Sequence, residues 1–408
     1  MEDYNLQSLV LDTGNSDSVE NKLKQVLSIV RRHLGMEVAF ISEFINGERV
    51  FKFVDVKSTD SVISAGDSDP LEETYCQRIV RSELANIIHD TAANSITNKL
   101  DVTDKLSIGS YMGVPIMLSS GDVYGTFCCY KNSSDETLNE RDLYFLSAIA
   151  EIASVLIEKH IEAEIRYREV IGRVQSVLDM DQFDIHYQPI YSLDTNQVSG
   201  FESLSRFVTE PYMPPNVWFD EASQVGLGES LEIMAIEKAL KGLDELASEI
   251  YISINVSPEY VWNGALSKVL TSIDTARIVV EITEHSHVKD YADLRRELAP
   301  LRERGIRLAI DDAGAGYSSF QHILELEADI IKLDISLTKG IDHEPKKYLL
   351  AKAICAFAKA IKCIVIAEGI ETIEELNVLR ELGVDKVQGY LLGRPMSIKE
   401  ACNIKKGI

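Results

Sequence analysis

Residues 309–319, AIDDAGAGYSS, close a short apolar run with two adjacent aspartates and then continue in small residues. Neighbouring carboxylates repel, so Asp311 and Asp312 need something positive beside them. The run that ends on them, GIRLAIDD, is one of a series after residue 182: FDIHYQPIYS, VSGFESLSRF, EIYISINVS, ARIVVEITE, GIRLAIDD, ADIIKLD, KCIVIAEG and DKVQGYLL. Each is short and rich in β-branched residues, and helical stretches separate most of them. Eight strands alternating with helices predict a (β/α)8 TIM-like barrel, in which functional residues gather at the C-terminal ends of the strands. The first two runs are too close for an intervening helix, so one strand there is expected to run antiparallel.

Reading the ends of these runs gives Glu202, Asn255, Glu281, Asp311, Asp312, Lys332, Glu368 and Gln388, with Arg206 nearby. Singly, each has an ordinary explanation: a helix cap, an ion-pair partner, a surface residue at a strand end. Together in one concave site, the five carboxylates would repel by several kcal/mol per close pair unless protonated or metallated. The candidate ligands are all oxygen donors, with no thiolate or imidazole, which favours Mg²⁺ or Mn²⁺ over Zn²⁺. Five carboxylates can balance two such ions, Asp311 bridging both and Asp312 reaching the second. Gly314 and Gly316 let the following loop turn sharply beside them. Two ions roughly 3.5–4 Å apart are the usual arrangement for phosphodiester hydrolysis.

The rest of the chain sets the boundaries. With 408 residues and 45% hydrophobic content, two folded domains are expected. A formal charge of −24 argues against gripping the backbone of a long nucleic acid. No window approaches the roughly 20 apolar residues of a membrane span, and the acidic start MEDYNLQSLV is unlike a signal peptide, so a cytoplasmic protein is expected. Six scattered cysteines read as buried thiols. Residues 17–35 predict an amphipathic helix. EVAFISEF and VFKFVDV predict strands joined at NGE, and SYMGVPIMLSSGDVYGTFCCY predicts a long hairpin turning at SSGD. The N-terminal part is therefore α+β with an antiparallel sheet. From 139 to 180 an apolar stripe through Ile149, Ile152, Leu156, Ile165, Ile171, Val174 and Leu178 predicts one long helix or two end to end, either packed on the first domain with a flexible joint at Gly172 or forming a parallel coiled coil in a homodimer. The expected division is 1–158, a helical linker over 159–180, and 181–408.

The stretches YQPI, FESLSRF, INVS, EITE, DDAGAGYSS, IKLD, AEGIET and QGYLLGRP resemble, in order and spacing, the EAL-domain phosphodiesterases that hydrolyse cyclic di-GMP. The resemblance implies that Glu202, Asn255, Glu281 and Asp311 hold one metal ion, and that Asp311, Asp312 and Glu368 serve a second. It implies that Lys332 orients or activates the attacking water, with Glu368 and Asp312 also in the catalytic set. It further implies that Gln188, Leu204, Arg206, Asp334, Gln388 and Pro395 line the nucleotide site and that Glu284 anchors the loop after Asp312. Three positions depart from the family pattern: Ser203 replaces the usual alanine, and Ala313 and Ala315 replace the usual Phe and Thr. The first domain resembles a GAF domain, implying a small-ligand pocket or a dimerisation unit. Cys76 has no histidine beside it, so a thiol-linked chromophore is not expected. The expected function is metal-dependent hydrolysis of cyclic di-GMP to linear pGpG under GAF control. The alternatives are a catalytically weak receptor for the dinucleotide and a scaffold acting through protein contacts.

Overall fold

The computed structural model describes residues 16–58, 63–283, 290–313 and 318–404. The chain divides into two compact units at Arg168/Glu169.

In the first unit a six-stranded antiparallel sheet has the order β3-β2-β1-β6-β5-β4. Its strands are β1 (Val38–Ile45), β2 (Glu48–Val56), β3 (Ser68–Pro70), β4 (Ile87–Ile88), β5 (Ser110–Met117) and β6 (Val123–Lys131). The β1–β2 turn needs two left-handed residues, and Asn46 (φ 52°) and Gly47 (φ 81°) supply them. Because strand side chains alternate, the sheet has two buried faces. One face, with Ala39, Ile41, Met112, Phe127 and Cys129, is covered by helix Ser16–His33 through Leu23, Val26 and Leu27 and by helix Glu140–Met180 through Leu146, Ala153 and Ile157. The other face carries Phe40, Phe51, Tyr111 and Cys128, packed against Tyr75, Cys76 and Ile79 of helix Tyr75–Val80.

Helix Glu140–Met180 is one continuous element of 41 residues, and Gly172 does not interrupt it. The stripe read from the sequence is not uniformly covered. Ile149, Leu156 and Val174 are buried, whereas Ile165 is 51% exposed and Tyr167 50% exposed.

The second unit is a closed barrel in the order β10-β11-β12-β13-β14-β7-β8-β9. Its strands are β7 (Phe183–Ser192), β8 (Gln197–Phe207), β9 (Tyr251–Asn255), β10 (Ile278–Thr283), β11 (Arg307–Ala313), β12 (Ile330–Leu333), β13 (Ile364–Ala367) and β14 (Lys386–Val387). β7 is antiparallel to both β8 and β14, and the other ladders are parallel. The physical reason is the one the sequence suggested: the short turn from Ser192 to Gln197 can close a hairpin but not a crossover. Ile190, Val279, Ala309, Ile330 and Ile366 fill the barrel interior with Tyr251. Among the described residues no helix is long and apolar enough to cross a membrane. Five cysteines are buried as expected, but Cys402 is exposed, since it lies at the end of a short helix, Ile398–Cys402.

Candidate active site at the barrel mouth

Parallel register fixes the first layer of the mouth. Glu281 of β10 lies level with Asn255 on one side and Ala309 on the other, and Glu202 of β8 lies level with Ser253. Glu202 is not at the end of its strand; β8 runs on to Phe207 because β7 pairs with it along its whole length. Residues 311 and 312 fall where the β11–β12 register shifts between Ile310 and Ala313. Asp312 adopts a left-handed φ of 59°, which an aspartate tolerates better than most side chains. Its N–H donates to Asp311 Oδ1 at 2.9 Å. The bulge therefore gives the adjacent aspartates different surroundings: Asp311 is buried and Asp312 half-buried.

At the centre lies the Lys332 ammonium, fully buried, with Glu281 at 2.7 Å, Glu368 at 2.7 Å, Asp311 at 3.2 Å and Glu202 at 3.6 Å. Burial alone would depress the lysine pKa, but the four carboxylates outweigh it and hold the ammonium well above its usual range. One cation cannot serve four anions. Burial pushes the Glu281 carboxyl up to about 8, with Glu202 and Asp311 adding to the rise and Lys332 opposing it. Burial and the same carboxylates raise Glu368 well above the carboxylate range. Among the described residues, buried Glu281 Oε1 has no hydrogen-bond partner. Ligand atoms of Glu202, Glu281 and Asp311 lie within 4.8 Å of one another. An oxygen-only triad, an unpartnered carboxylate oxygen and too little positive charge fit a hard divalent cation.

Gln388 extends the cluster: its Nε2 donates to Glu202 Oε2 at 2.6 Å and to Gln188 Oε1 at 3.0 Å. Gln188 in turn donates to the Gly393 carbonyl at 3.1 Å. Beside them a cavity of about 390 Å³ is lined by Leu204, Arg206, Asn255 and Glu281 among others. The Asn255 side chain is exposed at the strand end, and Arg206 donates to the Ser205 carbonyl at 2.8 Å. Ser203 does not disturb β8; its hydroxyl donates to the Ser253 carbonyl at 2.7 Å. Asp334 is drawn into local structure, capping helix Ile335–Thr338 through Ser336 N at 2.8 Å. Pro395 precedes Met396, whose backbone bridges to Tyr187. Glu284, Gly314, Ala315 and Gly316 lie outside the described residues.

One residue of the cavity wall went unread in the sequence. Glu232 accepts from Ser257 N at 2.6 Å and Ser257 Oγ at 2.7 Å, and burial pushes its carboxyl up to about 7 against those bonds. The only signal was an acidic residue within the apolar helix Gly228–Lys241, where it reads as one more polar position.

Comparison with known proteins agrees with this architecture. A model of the EAL domain matches residues 171–395, over half of the chain, so the chain belongs to the EAL-domain family. Its first unit is a GAF domain, whose model matches residues 16–158. The cyclic di-GMP phosphodiesterase PdeF of Escherichia coli is 27% identical over 243 residues, 57% of this chain and 32% of that protein. The cyclic di-GMP phosphodiesterase NbdA of Pseudomonas aeruginosa is 30% identical over 237 residues, 55% of this chain and 30% of that protein. The chain spans about a third of the length of the first curated relatives it matches. Among solved structures, the PaMucR phosphodiesterase in complex with c-di-GMP aligns with a TM-score of 0.53 at 25% identity, covering 57% of this chain and 99% of that one. The EAL enzyme Bd1971 aligns over 90% of this chain and 93% of its own with a TM-score of 0.56; at 20% identity this speaks for the fold alone.

Proposed function

We propose that this chain hydrolyses one phosphodiester of cyclic di-GMP to give linear pGpG, using two divalent ions of the magnesium or manganese class. The observation that carries the reading is the crowding of four carboxylates around one buried ammonium, Lys332, beside an open cavity. Glu202, Asn255, Glu281 and Asp311 would hold one ion, and Asp311, Asp312 and Glu368 the other. When bound, such ions lower the pKa of water and neutralise charge on the leaving oxygen. Lys332 keeps its proton and orients the attacking water by donating to it; Arg206 offers a planar fork to a phosphate. Gln388, tied to Glu202 and Gln188, keeps that carboxylate in place. Leu204, Asp334 and Pro395 complete the nucleotide surface. We further infer a homodimer in which the GAF domain, with or without a small ligand of its own, regulates the barrel. The exposed Ile165 and Tyr167 on helix Glu140–Met180 support this, since a partner helix would cover them.

Purified protein incubated with cyclic di-GMP and Mg²⁺ or Mn²⁺ should yield pGpG and no product in excess chelator. Ca²⁺ should support the reaction poorly because its coordination is larger and looser. Binding of the dinucleotide with no pGpG under any of these ions would favour the receptor reading instead.

A further inference from the structure

The GAF domain holds a second buried cluster that phosphodiester chemistry does not use. Thr74 caps helix Tyr75–Val80 by accepting from Gln77 N, and the helix sets Cys76 against the sheet. Alternation along β6 turns Cys128 toward Cys76 and Cys129 to the opposite face. The two sulfurs of Cys76 and Cys128 are 3.9 Å apart, in van der Waals contact, and both are fully buried. The space is made by Gly113, which pairs across the ladder with Cys128: a Cβ there would lie 2.9 Å from the Cys128 sulfur and 3.0 Å from the Tyr111 ring.

Polar groups converge on one of the two sulfurs. Cys76 Sγ has the Tyr111 hydroxyl at 3.4 Å, Arg49 Nη1 at 3.8 Å and Ser42 Oγ at 4.0 Å. Arg49 is 2% exposed and sits on the Phe51 ring, 4.1 Å from its centroid. It pairs with Asp69, but Lys105 shares that carboxylate at 2.5 Å, and among the described residues the buried Arg49 Nε has no partner. A buried guanidinium with half a counter-ion favours a second anion beside it, and the Cys76 thiolate is in place to be one. Burial pushes both thiols up. For Cys76 the bonds from Cys128 and the Arg49 charge outweigh it and bring the thiol well below its usual range, whereas Cys128, facing Cys76, stays well above.

We propose that Cys76 and Cys128 are a redox-reversible pair, closed to a disulfide by hydrogen peroxide and reopened by a dithiol reductant. In the first step the Cys76 thiolate attacks one peroxide oxygen; the S–O bond forms, the O–O bond breaks, and hydroxide leaves and takes a proton to become water. The Cys128 sulfur then attacks the sulfenic sulfur of Cys76. The S–S bond forms, the S–O bond breaks, and the departing hydroxide leaves as water with the Cys128 proton. Two electrons pass from the two sulfurs to the peroxide, and the reductant returns two electrons and two protons. Burial restricts the reaction to oxidants of about water's size. Closure also removes the anion beside Arg49, so oxidation changes the charge inside the domain.

The test uses the full, reduced chain. The exposed thiol of Cys402 is first alkylated on the folded protein, hydrogen peroxide is added, and the protein is denatured without reductant in a second, distinguishable alkylating agent. Peptide mapping should show Cys76 and Cys128 losing the second label together and joined in one cross-linked peptide, with Cys129, Cys355 and Cys363 still labelled. Dithiol treatment should restore both labels. In Cys128→Ser, whose folding is checked by circular dichroism, denaturation in dimedone should trap Cys76 as the sulfenic adduct. Retention of the second label at both positions in the natural chain overturns the proposal, with no appeal to the variant. A cross-link through Cys129, or Cys76 over-oxidised while Cys128 remains a thiol, overturns it equally.

Discussion

The two ends of the barrel crowd charged side chains of opposite sign and deal with them differently. At the C-terminal ends of the strands, four carboxylates surround the single Lys332 ammonium. At the N-terminal ends, the first residues of β9, β11 and β14 bring together Tyr251, Arg307 and Lys386. There the Lys386 ammonium lies 4.3 Å, and the Arg307 guanidinium 4.6 Å, from the centroid of the Tyr251 ring. The ring absorbs part of the positive charge. Burial first, and then Arg307, lowers the Lys386 pKa to about 8 against the opposing charge of Asp385, so the lysine gives up its proton more readily. The foot of the barrel thus closes its own electrostatic problem with groups it already has. The mouth does not: four carboxylates share one lysine, and among the described residues Glu281 Oε1 is left unpartnered. That asymmetry marks the mouth as the end with work outside the fold.

The strongest way to break this contrast is to remove the groups at the mouth. Glu202→Ala should lose metal binding and, with it, turnover of cyclic di-GMP by roughly 10³-fold or more, measured as pGpG formed. Lys332→Ala should lower turnover by roughly 10²–10⁴-fold while leaving nucleotide affinity in place. Near-normal turnover in the lysine variant would mean that the crowded ammonium is structural, like Lys386. Metal itself should stabilise the natural chain by about 2.7 kcal/mol at a hundredfold excess over Kd, read as a rise in Tm. Lys386→Met should keep that rise and Glu202→Ala should lose it.

A smaller effect is expected where the backbone, not the charge, positions the mouth. Gly389 follows Gln388, and a Cβ on it would lie 2.2 Å from both the N and O of Ile370. Gly389→Ala must therefore shift the segment that aims Gln388 at Glu202, costing about 3 kcal/mol in urea denaturation. An unchanged midpoint would show that the segment moves freely and that Gln388 is not held there by the fold.

What could be read from sequence follows the same division. The antiparallel β7 was legible because the spacing from Ser192 to Gln197 is a local quantity, and Lys332 because it ends a strand-like run. The aspartate pair was legible as an electrostatic problem, but not the bulge that gives Asp311 and Asp312 different surroundings, since register is set by the neighbouring strand. The Gln388–Gln188 hydrogen bond joins side chains 200 residues apart and leaves no pattern along the chain. Glu232 was hidden for a related reason: an acidic residue on a helix looks alike whether it faces water or the Ser257 backbone. Cys402 misled in the other direction, an apolar-type residue on a helix too short to bury it.

The smallest expected effect tests the foot of the barrel. Lys386 has a folded-state pKa of about 8 against an ordinary value of 10.5. Between those values the unfolded chain binds more protons at this site than the folded one, so the lysine's contribution to stability rises with pH across that window. Below about 8 both states are protonated and the cost of the buried ammonium is present in full; above about 10.5 it is gone. Replacing it with methionine removes the charge and keeps most of the side-chain volume over Tyr251. Lys386→Met should therefore be more stable than the natural chain at pH 7, by about 1–3 kcal/mol after allowance for partial solvation and the lost contact with the ring. The difference should shrink as pH rises from 8 to 10. The variant also loses the hydrogen bond that Lys386 Nζ donates to the Tyr251 hydroxyl at 3.3 Å, which offsets part of the gain. Urea denaturation of the two proteins at pH 7 and pH 10 decides the matter. A variant no more stable than the natural chain at pH 7, or an advantage unchanged at pH 10, would show that the positive charge at the foot is no better settled than the negative charge at the mouth.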